Sequence, residues 1–99
     1  MVRINWTFQA VLDLQNIAEY ISRDSKKYAK LQVLRIRDRS KILSTQIHSG
    51  KVVPEFNREN IRELIEGNYR IIYKIVNDNR IDILTIHHSA RDLTRRKVE

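Results

Sequence analysis

Residues 60–93 read NIRELIEGNYRIIYKIVNDNRIDILTIHHSARDL. Three runs rich in β-branched and aromatic side chains, 61–65, 69–76 and 81–87, are separated by Glu66-Gly67-Asn68 and Asn77-Asp78-Asn79. Such breaks are built from residues that tolerate positive φ or hydrogen-bond their own backbone, so the stretch predicts two consecutive β-hairpins and a three-stranded antiparallel meander. The middle run places Ile71, Tyr73 and Ile75 on one pleat face, and Ile72 and Val76 on the other, where Arg70 and Lys74 interrupt them. That pattern fits a central strand with one covered face and one partly open face. Nothing in the alternation requires a charge at Arg70.

Upstream, Val2, Ile4 and Trp6 alternate with polar residues and predict a first strand over 2–6. It joins the meander at an edge or beside the last strand. Thr7 is a candidate N-cap for a helix over 8–22 whose apolar stripe is Val11, Leu14, Ala18 and Ile21. Asp24 or Ser25 can cap a second helix with a seam of Ala29, Val33, Ile36, Ser40, Leu43 and Ile47, widened by Leu31, Leu34 and Ile42. Gly50 is placed to stop it. Only Arg23-Asp24-Ser25 separates the helices, which forces an antiparallel helical hairpin. Residues 52–56 read as a connection, with Pro54 blocking further helix. The predicted order is β-α-α-β-β-β: an α+β domain whose N-terminal helical hairpin packs on one face of a small antiparallel sheet.

Ninety-nine residues support one domain over 1–99, with 94–99 as a charged, frayed tail. No run is long enough to cross a bilayer and no apolar stretch follows the N-terminus, so neither a membrane span nor a secretory signal is expected. The absence of cysteine removes disulfides, thiolate catalysis and Cys-based zinc sites; a cytoplasmic location is the reading that fits. The formal charge of +7 favours an anionic partner. The helix cations Arg35, Arg37, Arg39 and Lys41, interleaved with Asp38, read as a solvated face or as the wall of a basic groove.

If Asp78-Asn79 forms a two-residue turn tip, Arg70 lies opposite His87, and the two share a face, with Arg91 emerging beyond the strand end. Two arginines and an imidazole gathered there could hold a phosphate or support acid–base chemistry on RNA. Alternatively Arg70 pairs with an acidic neighbour such as Glu63 or Asp82. His87 and His88 fall on opposite faces and so cannot easily share a metal ion. With only two glycines there is no phosphate-binding loop. No cofactor or metal is expected. Tyr69 and Tyr73 read as packing residues.

The runs REL-x-x-x-x-YRIIY, from Arg62 to Tyr73, and I-x-IL-x-IHH-x-x-R-x-L, from Ile81 to Leu93, resemble the RelE/ParE superfamily of toxins from type II toxin–antitoxin pairs. The segments W-T-x-x-A-x-x-DL, from Trp6, and G-x-x-VPE, from Gly50, are similar to its plasmid-stabilisation, ParE-like branch, and the likeness spans roughly residues 2–93. It implies a small basic toxin neutralised by an acidic antitoxin that folds on binding, in a toxin–antitoxin hetero-oligomer. RelE-like members resemble ribosome-dependent mRNA endonucleases (mRNA interferases); on that reading the catalytic set is Arg70, His87 and Arg91. ParE-like members resemble growth inhibitors that bind DNA gyrase, for which Arg62, Arg70, His87, His88 and Arg91 are target-binding candidates. Glu63 stands where the nuclease pattern expects a cation, and no tyrosine follows Leu93; both departures favour the gyrase-binding branch. A basic nucleic-acid-associated domain without toxicity is the third reading.

Overall fold

The computed structural model describes residues 1–90 and 93. Its order is β1 (Arg3–Trp6), α1 (Phe8–Ser22), α2 (Lys26–Ser40), a 3-10 turn (Lys41–Ser44), β2 (Lys51–Val52), β3 (Ile61–Glu66), β4 (Tyr69–Asn77) and β5 (Arg80–His88). The five strands form one sheet in the order β1-β5-β4-β3-β2, so β4 is central as its two-faced apolar pattern predicts. The α+β architecture with a helical hairpin on the sheet is the one expected, with two additions. β1 lies beside β5 and runs parallel to it, making the otherwise antiparallel sheet mixed. The segment read as a connection begins with β2, which pairs with β3; a strand of two residues ending before Val53-Pro54 is too short to carry periodicity.

Both helix starts follow the predicted chemistry. The Thr7 hydroxyl accepts from the Ala10 amide and donates to the Ile83 carbonyl, which fixes α1 to the strand it crosses. The Ser25 hydroxyl accepts from the Tyr28 amide at the start of α2. The second helix ends earlier than the 29–47 seam implies. From Ser40 the hydroxyls turn back on local carbonyls: Ser40 to Arg37, Ser44 to Lys41 and Thr45 to Ile42. These bonds compete with helix continuation and accompany the tightening to 3-10. Ser44 then uses its carbonyl to receive the Val2 amide.

The helical hairpin covers a core of Ala10, Leu14, Ile36, Leu43, Leu64, Ile71, Tyr73, Ile81, Ile83 and Ile86. Ile36 and Leu43 are fully buried and Val33 is half-buried, whereas Leu31, Leu34 and Val11 point to solvent. In α1 the stripe is rotated from the expected one: Ala10, Asp13 and Leu14 are its buried residues. The opposite sheet face carries a smaller cluster of Val53, Ile61, Ile72 and Leu93, flanked by Phe56 and Leu84.

The two hairpin breaks work differently. Gly67 adopts φ +58, so the first turn uses the left-handed conformation. In the second, the Asn77 side chain accepts from the Asn79 amide, an Asx turn needing no positive φ. Gly50 stops no helix. A Cβ there would lie 2.6 Å from both the Glu63 carbonyl and the Tyr73 hydroxyl. The buried Tyr73 hydroxyl accepts from the Gly50 amide (3.0 Å) and donates to the Ile47 carbonyl (2.8 Å), so close backbone approach is what requires glycine. Burial pushes the Tyr73 phenol above its usual range, which keeps that donor in place.

Candidate functional site

The site is built on the face of the sheet away from the helices. On β4, Arg70 lies directly across from Ile65 of β3 and His87 of β5. The Arg70–His87 register arises because two irregularities in the β4–β5 pairing, after Ile72 and after Ile75, shift it by one residue in opposite senses and cancel. Glu63 of β3 sits one diagonal step away on the same face, opposite Ile72. The third member, Glu55, follows Pro54 in the loop after β2. That loop is folded back by the Phe56 and Asn57 amides on the Val53 carbonyl, with Asn57 at φ 49.

Arg70 is forked by both carboxylates. Its Nε and Nη2 donate to the two oxygens of Glu63, each at 2.8 Å. Its Nη1 and Nη2 donate to the two oxygens of Glu55, at 2.6 and 2.8 Å. Four of the five guanidinium N–H donors are thereby used. The side chains of Arg70 and Glu63 are 10% and 2% exposed, so this pair lies in the low-dielectric interior, while Glu55 retains 26%. The Arg70 hydrogen bond pulls the Glu55 carboxyl down from 4.5 to about 2. The hydrogen bonds Arg70 donates to Glu55, and then those to Glu63, raise its own affinity for its proton further. Two carboxylates against one guanidinium leave the unit with no formal positive charge. Of the two acidic neighbours foreseen for Arg70, Glu63 pairs with it. Asp82 instead meets Arg80 and Asn5; burial works to raise its pKa, but those hydrogen bonds win and lower it.

Of the remaining candidates among the described residues, His87 alone lies at Arg70: it is 3% exposed and directly across the strand pair. Arg62 pairs in register with Tyr73, on the helix side of the sheet, and serves the loops: its guanidinium donates to the Gly50 carbonyl and to the carbonyl and carboxylate of Glu59. His88 stacks edge-on against Tyr69, with ring centroids 5.4 Å apart, and its Nδ1 accepts from the Ala90 amide. Arg91 and the 94–99 tail lie outside the described residues. Among the described residues no group of three or more His, Asp or Glu side chains is placed to hold a metal ion, and no helix is long and apolar enough to cross a membrane.

Two further acidic residues matter to the geometry beyond the candidates that the sequence offers. Glu55 carried a signal in the VPE run, but its partner is legible only once the loop is known to fold over the sheet. Asp13 is buried on the apolar side of α1 and receives the Thr85 hydroxyl, the Ile86 amide at 3.1 Å and the Gln9 amide at 2.9 Å. An acid between Ala10 and Leu14, on a face that must be buried, was its signal.

Comparison with known proteins adds three likenesses. Residues 4–93 match the model of the ParE toxin of the type II toxin–antitoxin system parDE. Toxin RelE2 of Caulobacter vibrioides is 29% identical over 91 residues, covering 92% of this chain and 99% of that protein. A chain from the chromosomal ParDE toxin–antitoxin system of P. aeruginosa superposes with a TM-score of 0.73 at 25% identity, over 89% of this chain and 96% of that one.

Proposed function

This chain belongs to the ParE toxin family of type II toxin–antitoxin systems, and from that premise we propose that it arrests growth in the cytoplasm by binding DNA gyrase rather than by cutting mRNA. One observation carries the choice of mechanism: the only arginine on the open sheet face that the nuclease pattern could use, among the described residues, already gives four N–H donors to Glu55 and Glu63. A scissile phosphate gains negative charge on the way to its transition state and needs unpaired cations beside it. Two carboxylates at that place repel it. Arg70 therefore acts as a clasp joining β3, β4 and the loop after β2, and target recognition falls to the exposed surface around it.

The partner that silences the toxin is a cognate antitoxin, an acidic segment that orders as it binds and forms a hetero-oligomer with this chain. The charge of +7 supports that reading, as does the likeness to a chain of a ParDE system. Co-expression with the adjacent reading frame is expected to give a co-purifying complex whose affinity weakens as salt rises.

The mechanism is tested by titrating the purified chain into a gyrase supercoiling reaction and, in parallel, into a translating extract. Loss of supercoiling with intact mRNA is expected. mRNA cut in codon register, with supercoiling unaffected, would reverse the assignment in favour of the ribosome-dependent endonuclease.

A further inference from the structure

A β-sheet presents unpaired N–H and C=O groups along both outer edges, and most of the edge length in this sheet is closed. β2 is two residues long and is followed at once by Val53-Pro54. Where β3 runs on beyond β2, Arg39 donates from Nε to the Ile65 carbonyl at 3.3 Å. Where β5 runs on beyond β1, the Thr7 hydroxyl donates to the Ile83 and Leu84 carbonyls, and the Asp13 carboxylate accepts from the Ile86 amide at 3.1 Å. β1 is the exception. The Arg3 and Thr7 amides both donate to β5, so alternation turns the N–H and C=O of Ile4 and Trp6 away from the sheet. Ser44 takes the Val2 amide, but among the described residues no hydrogen bond meets the outward groups of Ile4 and Trp6. The half-buried side chains of Val2, Ile4 and Trp6 lie on the helix side of this edge, and Phe8, 80% exposed, follows closely.

We propose that this edge joins two copies of the chain through an antiparallel β1–β1 pair, so that two five-stranded sheets become one. Residues that face each other in this way across antiparallel strands exchange both of their hydrogen bonds. A two-fold axis at Asn5 therefore sets Ile4 against Trp6 of the second copy and Trp6 against its Ile4, about four hydrogen bonds in all. In that register Arg3 faces Thr7 and Asn5 faces Asn5, so no like charges meet across the axis. Antiparallel pairing also places Phe8, just past the end of one β1, next to Val2 at the start of the other, covering apolar surface that a single chain leaves in water. Charge selects the same occupant. Residues 1–22 carry Arg3 against Asp13 and Glu19, a formal −1 in a chain of +7. Copies of a strongly basic chain repel each other least where this segment meets itself. An acidic segment is drawn instead to residues 23–41, where eight lysines and arginines stand against two aspartates. The proposal is separate from the choice between gyrase and mRNA, since neither Arg70 nor its carboxylates take part.

The test is sedimentation equilibrium of the full chain between about 5 and 500 µM, with amide hydrogen exchange read by NMR at both limits. A rise from the monomer mass to twice that mass is expected. Exchange at Ile4 and Trp6 should slow about tenfold or more at the high limit, while Asn5, which faces β5, is protected at both. Ile4→Pro removes the outward N–H, a substitution that edge strands tolerate. It is expected to weaken the dimer about tenfold or more through the two symmetry-related bonds it deletes. Ile4→Ala removes more of the side chain but keeps the N–H, and is expected to dimerise within about threefold of the native chain. Circular dichroism checks that both variants are folded; should Ile4→Pro not fold, exchange in the native chain decides. A monomer at about 500 µM would overturn the proposal, as would a dimer whose Ile4 and Trp6 amides stay unprotected. Equal dimerisation of folded Ile4→Pro and Ile4→Ala would overturn it too. So would protection of these amides only when a co-expressed acidic antitoxin is present, which would assign the edge to a strand of that partner.

Discussion

Arg70 illustrates how a side chain can be conspicuous in a sequence for the wrong reason. A charge that interrupts a strand suggests a reactive group, but here it is matched by two carboxylates, one of which, Glu63, is almost wholly buried. Arg70→Ala would leave Glu63 without its counter-ion, and a loss of about 3–5 kcal/mol is expected in urea denaturation. Glu55 gives the pair a pH signature. Its carboxyl titrates at about 2 when folded against 4.5 otherwise, a depressed value, so its stabilisation is complete above about pH 5 and disappears as pH falls towards 2. With allowance for the exposure of the side chain, the contribution is about 1–2 kcal/mol. In Glu55→Gln the acid limb of the stability profile between pH 5 and 2 should flatten by that amount; an unchanged limb would show that the pairing contributes nothing. At this scale the sequence yielded Arg70 facing His87 and named Glu63 as a partner. It hid Glu55, because a contact between a loop and a strand 15 residues away leaves no period to detect.

Elements were more legible than residues, since apolar periodicity reports burial directly. The three meander strands, both helix starts and the helical hairpin all follow from spacing and caps. What escaped was whatever depends on a single close contact. Gly50 has the spacing of a helix stop, although its role is to let the backbone pass against Tyr73. Gly50→Ala should therefore destabilise by about 1–3 kcal/mol through overpacking, where an exposed helix-end glycine would tolerate alanine at little cost. The premature end of α2 has the same origin: three hydroxyls bond locally, and the seam residue Leu43 reaches the core from a 3-10 turn. Leu43 is fully buried there. Leu43→Ala is expected to cost about 2–5 kcal/mol, measured by chemical denaturation, and a loss under about 1 kcal/mol would mean that this face is not core.

Across the whole molecule the sheet separates three tasks. One face buries the helical hairpin, the other carries a small apolar cluster beside the Arg70 clasp, and the outer side of α2 concentrates the positive charge. Sequence predicted the layer order and the family, and the concentration of charge between Arg23 and Lys41 is equally legible in it, with the cations spread around the exposed part of α2. Whether Arg70 is a clasp or a phosphate-binding catalyst decides between the two mechanisms. The double variant Arg70→Met/Glu63→Leu removes cation and buried anion together, and replacing a buried pair with apolar groups of similar volume preserves folding in other proteins. Its circular dichroism, growth inhibition and effect on gyrase supercoiling should be read on the same preparation. The clasp account predicts a folded protein that still arrests growth and still blocks supercoiling. A folded protein that no longer arrests growth, together with mRNA cleavage present in the native chain and absent in the variant, would contradict it.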